Sequence, residues 1–64
     1  MTKYVVYWED DFQAEFDTLK EAQEYVKHDI KGSAEIYGKS QKWVKEHFTW
    51  SIEKQEYINT ERSG

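Results

Sequence analysis

The chain has 64 residues, 17% aromatic and 34% charged, with no cysteine, no proline and a formal net charge of -4. A chain this short makes one domain and buries only about 60% of the surface its unfolded form exposes. No disulfide or thiolate-held zinc can supplement that core, and two histidines are too few for a structural metal, so no metal and no cofactor is expected.

Stability must then come from three Trp, five Tyr and three Phe, which bury much area per residue, or from oligomerisation. No N-terminal segment joins a basic start to an apolar run of signal-peptide length. The longest apolar run, Tyr4 to Trp8, is too short to span a bilayer. These features lead us to expect a cytoplasmic protein with no membrane partner. Charge is unevenly placed: residues 1–37 hold nine acids against four lysines, and residues 38–64 hold five basic residues against four acids. The acidic first half opposes binding to phosphate backbones.

Strand 1 is expected from about Lys3 to Trp8, rich in β-branched and aromatic residues. Strand 2 follows from Phe12 to Phe16, with Phe12, Ala14 and Phe16 alternating against Gln13 and Glu15, as in a half-buried strand. Glu9-Asp10-Asp11 is short and polar, so the two strands form a hairpin. A two-residue loop at Asp10-Asp11 would turn Val5 and Tyr7 to the core. A three-residue loop would turn Tyr4, Val6 and Trp8 inward, since a one-residue slip exchanges the faces. Under either register strand 1 keeps apolar side chains on its second face. It is either a central strand covered on both sides or the carrier of an interaction surface.

A helix is expected from Thr18 to Lys31. Thr18-Leu19-Lys20-Glu21 matches a capping box. Leu19, Ala22, Val26 and Ile30 form an apolar stripe with Tyr25 on its flank. Glu21 and Glu24 suit the positive end of the helix dipole, and Lys27, His28 and Lys31 the negative end. Gly32 can take the left-handed conformation that closes a helix. Ala34 to Tyr37 then reads as a third strand. Residues 40–47 read as a short helix or a further strand, and the alternation of Phe48, Trp50 and Ile52 as a strand from Phe48 to Lys54. The fold class is α+β: a small, mainly antiparallel sheet of three or four strands with one amphipathic helix on one face, in the order β-β-α-β-(α or β)-β. The domain spans residues 1–58, and 59–64 read as a flexible tail.

Motifs for chemistry are sparse. Glu9-Asp10-Asp11 groups carboxylates without the spacing of a calcium loop and reads as a polar turn. His28 lies off the apolar stripe, and His47 sits among aromatics, hydrogen-bonded in the ordinary case. No Gly-x-Ser-x-Gly elbow and no phosphate loop occurs, so no catalytic residue is assigned and the chain reads as non-enzymatic. The candidate binding residues are Tyr4, Tyr7, Trp8, Trp43 and Trp50. Exposed Trp and Tyr concentrate at protein–protein hot spots, so the expected partner is another protein or a second copy in a homodimer. By association, an accessory protein of a phage or mobile element that modulates a host factor fits this profile. One alternative is single-stranded nucleic-acid binding through Trp43 and its flanking lysines Lys39, Lys42 and Lys45. Another is acidic DNA mimicry by Asp10, Asp11, Glu15, Asp17, Glu21 and Glu24.

Overall fold

A computed structural model describes residues 1–57. In chain order it contains β1 (Thr2–Trp8), β2 (Asp11–Phe16), α1 (Leu19–Tyr37), α2 (Gln41–His47) and β3 (Trp50–Glu56). The fold is α+β: an antiparallel sheet in the order β2-β1-β3 with both helices on one face. The expected tail at 59–64 and the domain end at 58 lie outside the described residues.

The hairpin turn is neither of the two expected loops. Glu9 and Asp10 form it, both with positive φ (52° and 74°), and Trp8 pairs with Asp11. Left-handed conformations at both central positions match the right-handed twist of the flanking strands. Tyr7 then pairs with Phe12, but Val6 pairs with Ala14, so Gln13 is left over as a β-bulge. A bulge breaks the alternation of faces. Phe12 therefore lies on the opposite face from Ala14 and Phe16, correcting the expectation that all three share one.

Cross-strand partners share a face, and successive residues alternate. The helix-covered face carries Phe16, Tyr4 and Lys54 in one row. Ala14, Val6 and Ile52 follow, then Asp11, Trp8 and Trp50. The open face carries Glu15, Val5 and Glu53, then Phe12, Tyr7 and Ser51. Val6 is fully buried (0% exposed) beneath the helices. β1 is thus the central strand, and among the described residues a helix layer covers one of its faces.

α1 starts as its sequence indicates. Thr18 is extended (φ -127°, ψ 152°), its hydroxyl oxygen accepts from the Glu21 N–H at 3.2 Å, and the hydroxyl donates to the Glu21 carboxylate at 3.0 Å. The end is not where expected. α1 runs through Gly32 to Tyr37, so no strand forms over Ala34 to Tyr37. Continuing Ala22, Val26 and Ile30 by another four residues reaches Ala34, which is buried. Burying Ala34 offsets the ~1 kcal/mol that glycine costs inside a helix. Ile36, expected beside Ala34 on a strand, points to solvent and is 82% exposed. The closing glycine is Gly38 (φ 66°): its N–H bonds the Glu35 carbonyl at 3.3 Å, and the Lys39 N–H bonds the Ala34 carbonyl at 3.0 Å. This is the Schellman arrangement. Lys27, His28 and Lys31 therefore lie mid-helix, and the last turn holds no basic residue. Leu19 is also off the expected stripe, at 43% exposed.

An added Cβ at Gly32 would meet nothing within 4 Å, and its φ is not positive. Gly32→Ala is therefore expected to stabilise the protein by about 0.5–1 kcal/mol. A higher urea midpoint with an unchanged slope checks this.

Residues 41–47 form a helix. Ser40 caps α2, its side-chain oxygen accepting from the Trp43 N–H at 3.1 Å, and Val44 is buried against the rest of the fold. Phe48 ends α2 in extended conformation, so β3 begins at Trp50 rather than Phe48.

Candidate functional site

The five candidate residues do not share one surface. Tyr4, Trp8 and Trp50 lie on the helix-covered face, Tyr7 on the open face, and Trp43 on α2. A core of rings forms around Phe48. Trp8 (5.5 Å between centroids), Tyr37 (5.4 Å), Trp43 (6.3 Å) and Trp50 (6.4 Å) all meet it. This cluster joins the end of α1, α2 and the head of β3 to the hairpin end of the sheet. Trp50 also donates its indole N–H to the Asp29 carboxylate at 2.8 Å, so its polar edge is satisfied within the fold.

Trp43 is half-buried in the same cluster. His47 stacks on it (4.0 Å, 19° between planes), and Lys39 Nζ sits 5.4 Å from its ring centre. The His47 Nδ1 lies 2.9 Å from the Trp43 carbonyl. A carbonyl can only accept, so Nδ1 carries the proton and donates. A nucleic-acid base stacking on the His47 side of Trp43 would have to displace that imidazole.

The acidic turn has a structural use. The Glu9 carboxylate accepts from the Thr49 N–H at 2.6 Å, and the Glu9 N–H donates to the Thr49 carbonyl at 2.9 Å. These bonds tie the hairpin tip to the start of β3. Among the described residues no three His, Asp or Glu side chains are placed to hold a metal ion. The acids considered for DNA mimicry are spread over the molecule. Asp10 and Asp11 are at the hairpin tip, Glu15 and Asp17 are on the open side of the sheet, and Glu21 and Glu24 are on α1 across it.

The open face carries a candidate surface that the sequence shows only in part. Phe12 is 62% exposed and meets Tyr7 edge-on, with centroids 6.5 Å apart and planes at 80°. Beside them Val5 is buried (3% exposed) without a helix above it. Polar side chains drape over it instead. Gln55 donates to the Tyr7 hydroxyl at 3.4 Å and to Glu53 at 2.8 Å, and Tyr57 reaches both Glu15 (3.2 Å) and Gln55 (2.9 Å). Lys3 binds Asp17 at the far end. The result is an aromatic pair beside the carboxylates Glu15, Asp17 and Glu53. Tyr7 was legible as a two-faced-strand residue. Phe12 was not, because only the bulge turns it outward.

Two groups on this face have displaced titrations. The hydrogen bond to Asp17 holds the Lys3 ammonium above its usual range, against a smaller opposing effect of burial. Burial first, then the bond to Glu15, raises the Tyr57 hydroxyl. Both folded-state pKa values are raised, so the stability these groups contribute is complete at neutral pH. It is lost as pH climbs from their ordinary values, about 10, toward the raised ones. Urea midpoints are expected to fall above about pH 10, and to fall less steeply in a Lys3→Met, Tyr57→Phe variant.

Comparison with protein-family models, curated proteins and solved structures finds no match to this chain. Among the described residues no helix is long and apolar enough to cross a membrane.

Proposed function

We propose that this protein is a non-enzymatic interaction module that binds another protein through the open face of its sheet. The observation that carries this reading is Phe12, turned outward by the bulge and standing against Tyr7 on the face away from the helices. Binding hot spots are enriched in large aromatic side chains, Tyr among them, and here a half-buried Tyr7 supports an exposed Phe12. The adjoining Glu15, Asp17 and Glu53 select a partner with an apolar pocket and basic residues around it, because complementary charge steers encounter and excludes wrong partners. Two such faces docking on each other would oppose like charges, which favours a different protein over a second copy at this surface. The regulatory role expected of a phage or mobile-element accessory protein belongs to the same proposal and rests on composition and size.

A photo-reactive residue at position 13, beside Phe12, tests it. The expected result is a defined adduct with one protein, which then binds in purified form. Phe12→Ser should weaken that binding by about 2 kcal/mol, roughly thirtyfold in Kd, while leaving the circular dichroism spectrum unchanged. Binding that ignores both Phe12→Ser and charge reversal at Glu15 and Glu53 would count against the reading. The nucleic-acid alternative would instead give binding that weakens steeply with salt and is lost in Trp43→Ala.

A further inference from the structure

β3 is an outer strand of the sheet, and the backbone groups on its free edge can be identified. At one end of the β1–β3 ladder Met1 and Tyr57 exchange both backbone bonds (3.1 and 2.7 Å). At the other the Glu9 N–H donates to the Thr49 carbonyl at 2.9 Å. Antiparallel pairs alternate between bonded and non-bonded. Working inward from both ends along the register, Ser51, Glu53 and Gln55 turn their N–H and C=O toward β1. Trp50, Ile52, Lys54 and Glu56 turn theirs outward, where the sheet offers no further strand among the described residues.

The same outward-bonding residues carry their side chains on the helix-covered face. That cover is thin over β3: α1 lies mainly across β1 and β2 and meets β3 chiefly where Asp29 accepts from Trp50. Ile52 is left half-buried. A cleft lies at the head of β3, lined by Val26, Ile30, Lys45, Phe48, Thr49 and Trp50.

We propose that β3 pairs antiparallel with β3 of a second copy, about a two-fold axis at Ile52, so that one continuous sheet runs through both chains. Overlap and charge together select this register: an axis at Ser51 or Gln55 would pair only three residues of each β3. An axis at Glu53 would set Glu53 directly against its copy, and an axis at Lys54 would set lysine against lysine, which is destabilising. An axis at Ile52 sets isoleucine on isoleucine, Ser51 opposite Glu53, and Lys54 opposite Trp50, a pairing that lets the ammonium lie over the indole. It also exchanges the outward N–H and C=O groups of Ile52, and those of Trp50 with Lys54, so the free edge is satisfied along β3 up to Lys54. With the axis perpendicular to the sheet both helix layers fall on the same side. The cleft at the head of each β3 then lies beside the Lys54 of the other copy. Extra cover of this kind is a common remedy for a core this small. The open face with Tyr7 and Phe12 stays free on the other side of the joined sheet.

Sedimentation velocity of the full chain over a range of concentrations tests the pairing. A concentration-dependent dimer is expected, with the Ile52 and Lys54 amides exchanging more slowly as concentration rises. Lys54→Pro removes one outward N–H without touching a bond to β1. Ile52→Lys places two lysines at the axis. Each should raise the dimer dissociation constant at least about tenfold, with circular dichroism reporting the retained fold. Phe12→Ser should leave the dimer unchanged, which separates this proposal from the one above. A wild-type protein that remains monomeric with concentration-independent amide exchange overturns the pairing. So does a dimer that survives both edge variants or that dissociates with Phe12→Ser alone.

Discussion

Phe48→Ala is expected to remove most of the stability of the fold and to move the urea midpoint far toward zero. The ring is the one element that Trp8, Tyr37, Trp43 and Trp50 all touch. Removing it opens a cavity between four large side chains that are anchored to different elements and cannot collapse together. Truncating a packed phenylalanine costs about 3–5 kcal/mol. A chain of this length has a total stability of about 3–10 kcal/mol, at 0.05–0.15 kcal/mol per residue, so the loss takes most of the margin. Far-ultraviolet circular dichroism against urea, with Phe48→Leu as a milder control, checks this. A Phe48→Ala protein with an unchanged midpoint would show that the ring cluster contributes little.

Trp50→Phe is the second large effect, and its cause is polar. The substitution keeps an aromatic ring near Phe48 but removes the indole N–H that Asp29 accepts at 2.8 Å. Asp29 is half-buried, so its carboxylate loses a partner in a place where water replaces it only in part. Hydrogen bonds to charged groups contribute about 1.5–3 kcal/mol, and the lower half of that range is expected at partial exposure. Asp29→Asn should cost less, because a neutral amide oxygen still accepts from the indole. Combining Trp50→Phe with Asp29→Ala should cost less than the sum of the two single changes, since residues in contact are not additive. Additive changes would mean that the bond is not what holds α1 to β3.

The sequence by itself determined the local structure wherever a side chain acts on its own neighbours. Thr18 and Glu21 mark the start of α1 because a cap satisfies backbone groups within one turn. The first two strands follow from β-branched and aromatic residues beside an acidic turn, and the α+β class follows from the order of elements.

Tertiary structure decided what depends on distant partners. Gly32 carries a stop signal as good as that of Gly38. Continuing the helix buries Ala34 and brings Tyr37 onto Phe48, and those contacts lie many residues away along the chain. Residues 41–47 are compatible with helix or strand in isolation, and the burial of Val44 settles them as helix. The same holds for the candidate site. The aromatic surplus of β1 is visible in its residues, but which rings face outward is not. The bulge at Gln13 has no local mark, and it arises from matching β2 to β1 while Glu9 and Asp10 make the turn. That single extra residue sends Phe12 to the open face and leaves Ala14 and Phe16 half-buried on the helix-covered face, because a sheet has a period of two and a bulge adds one.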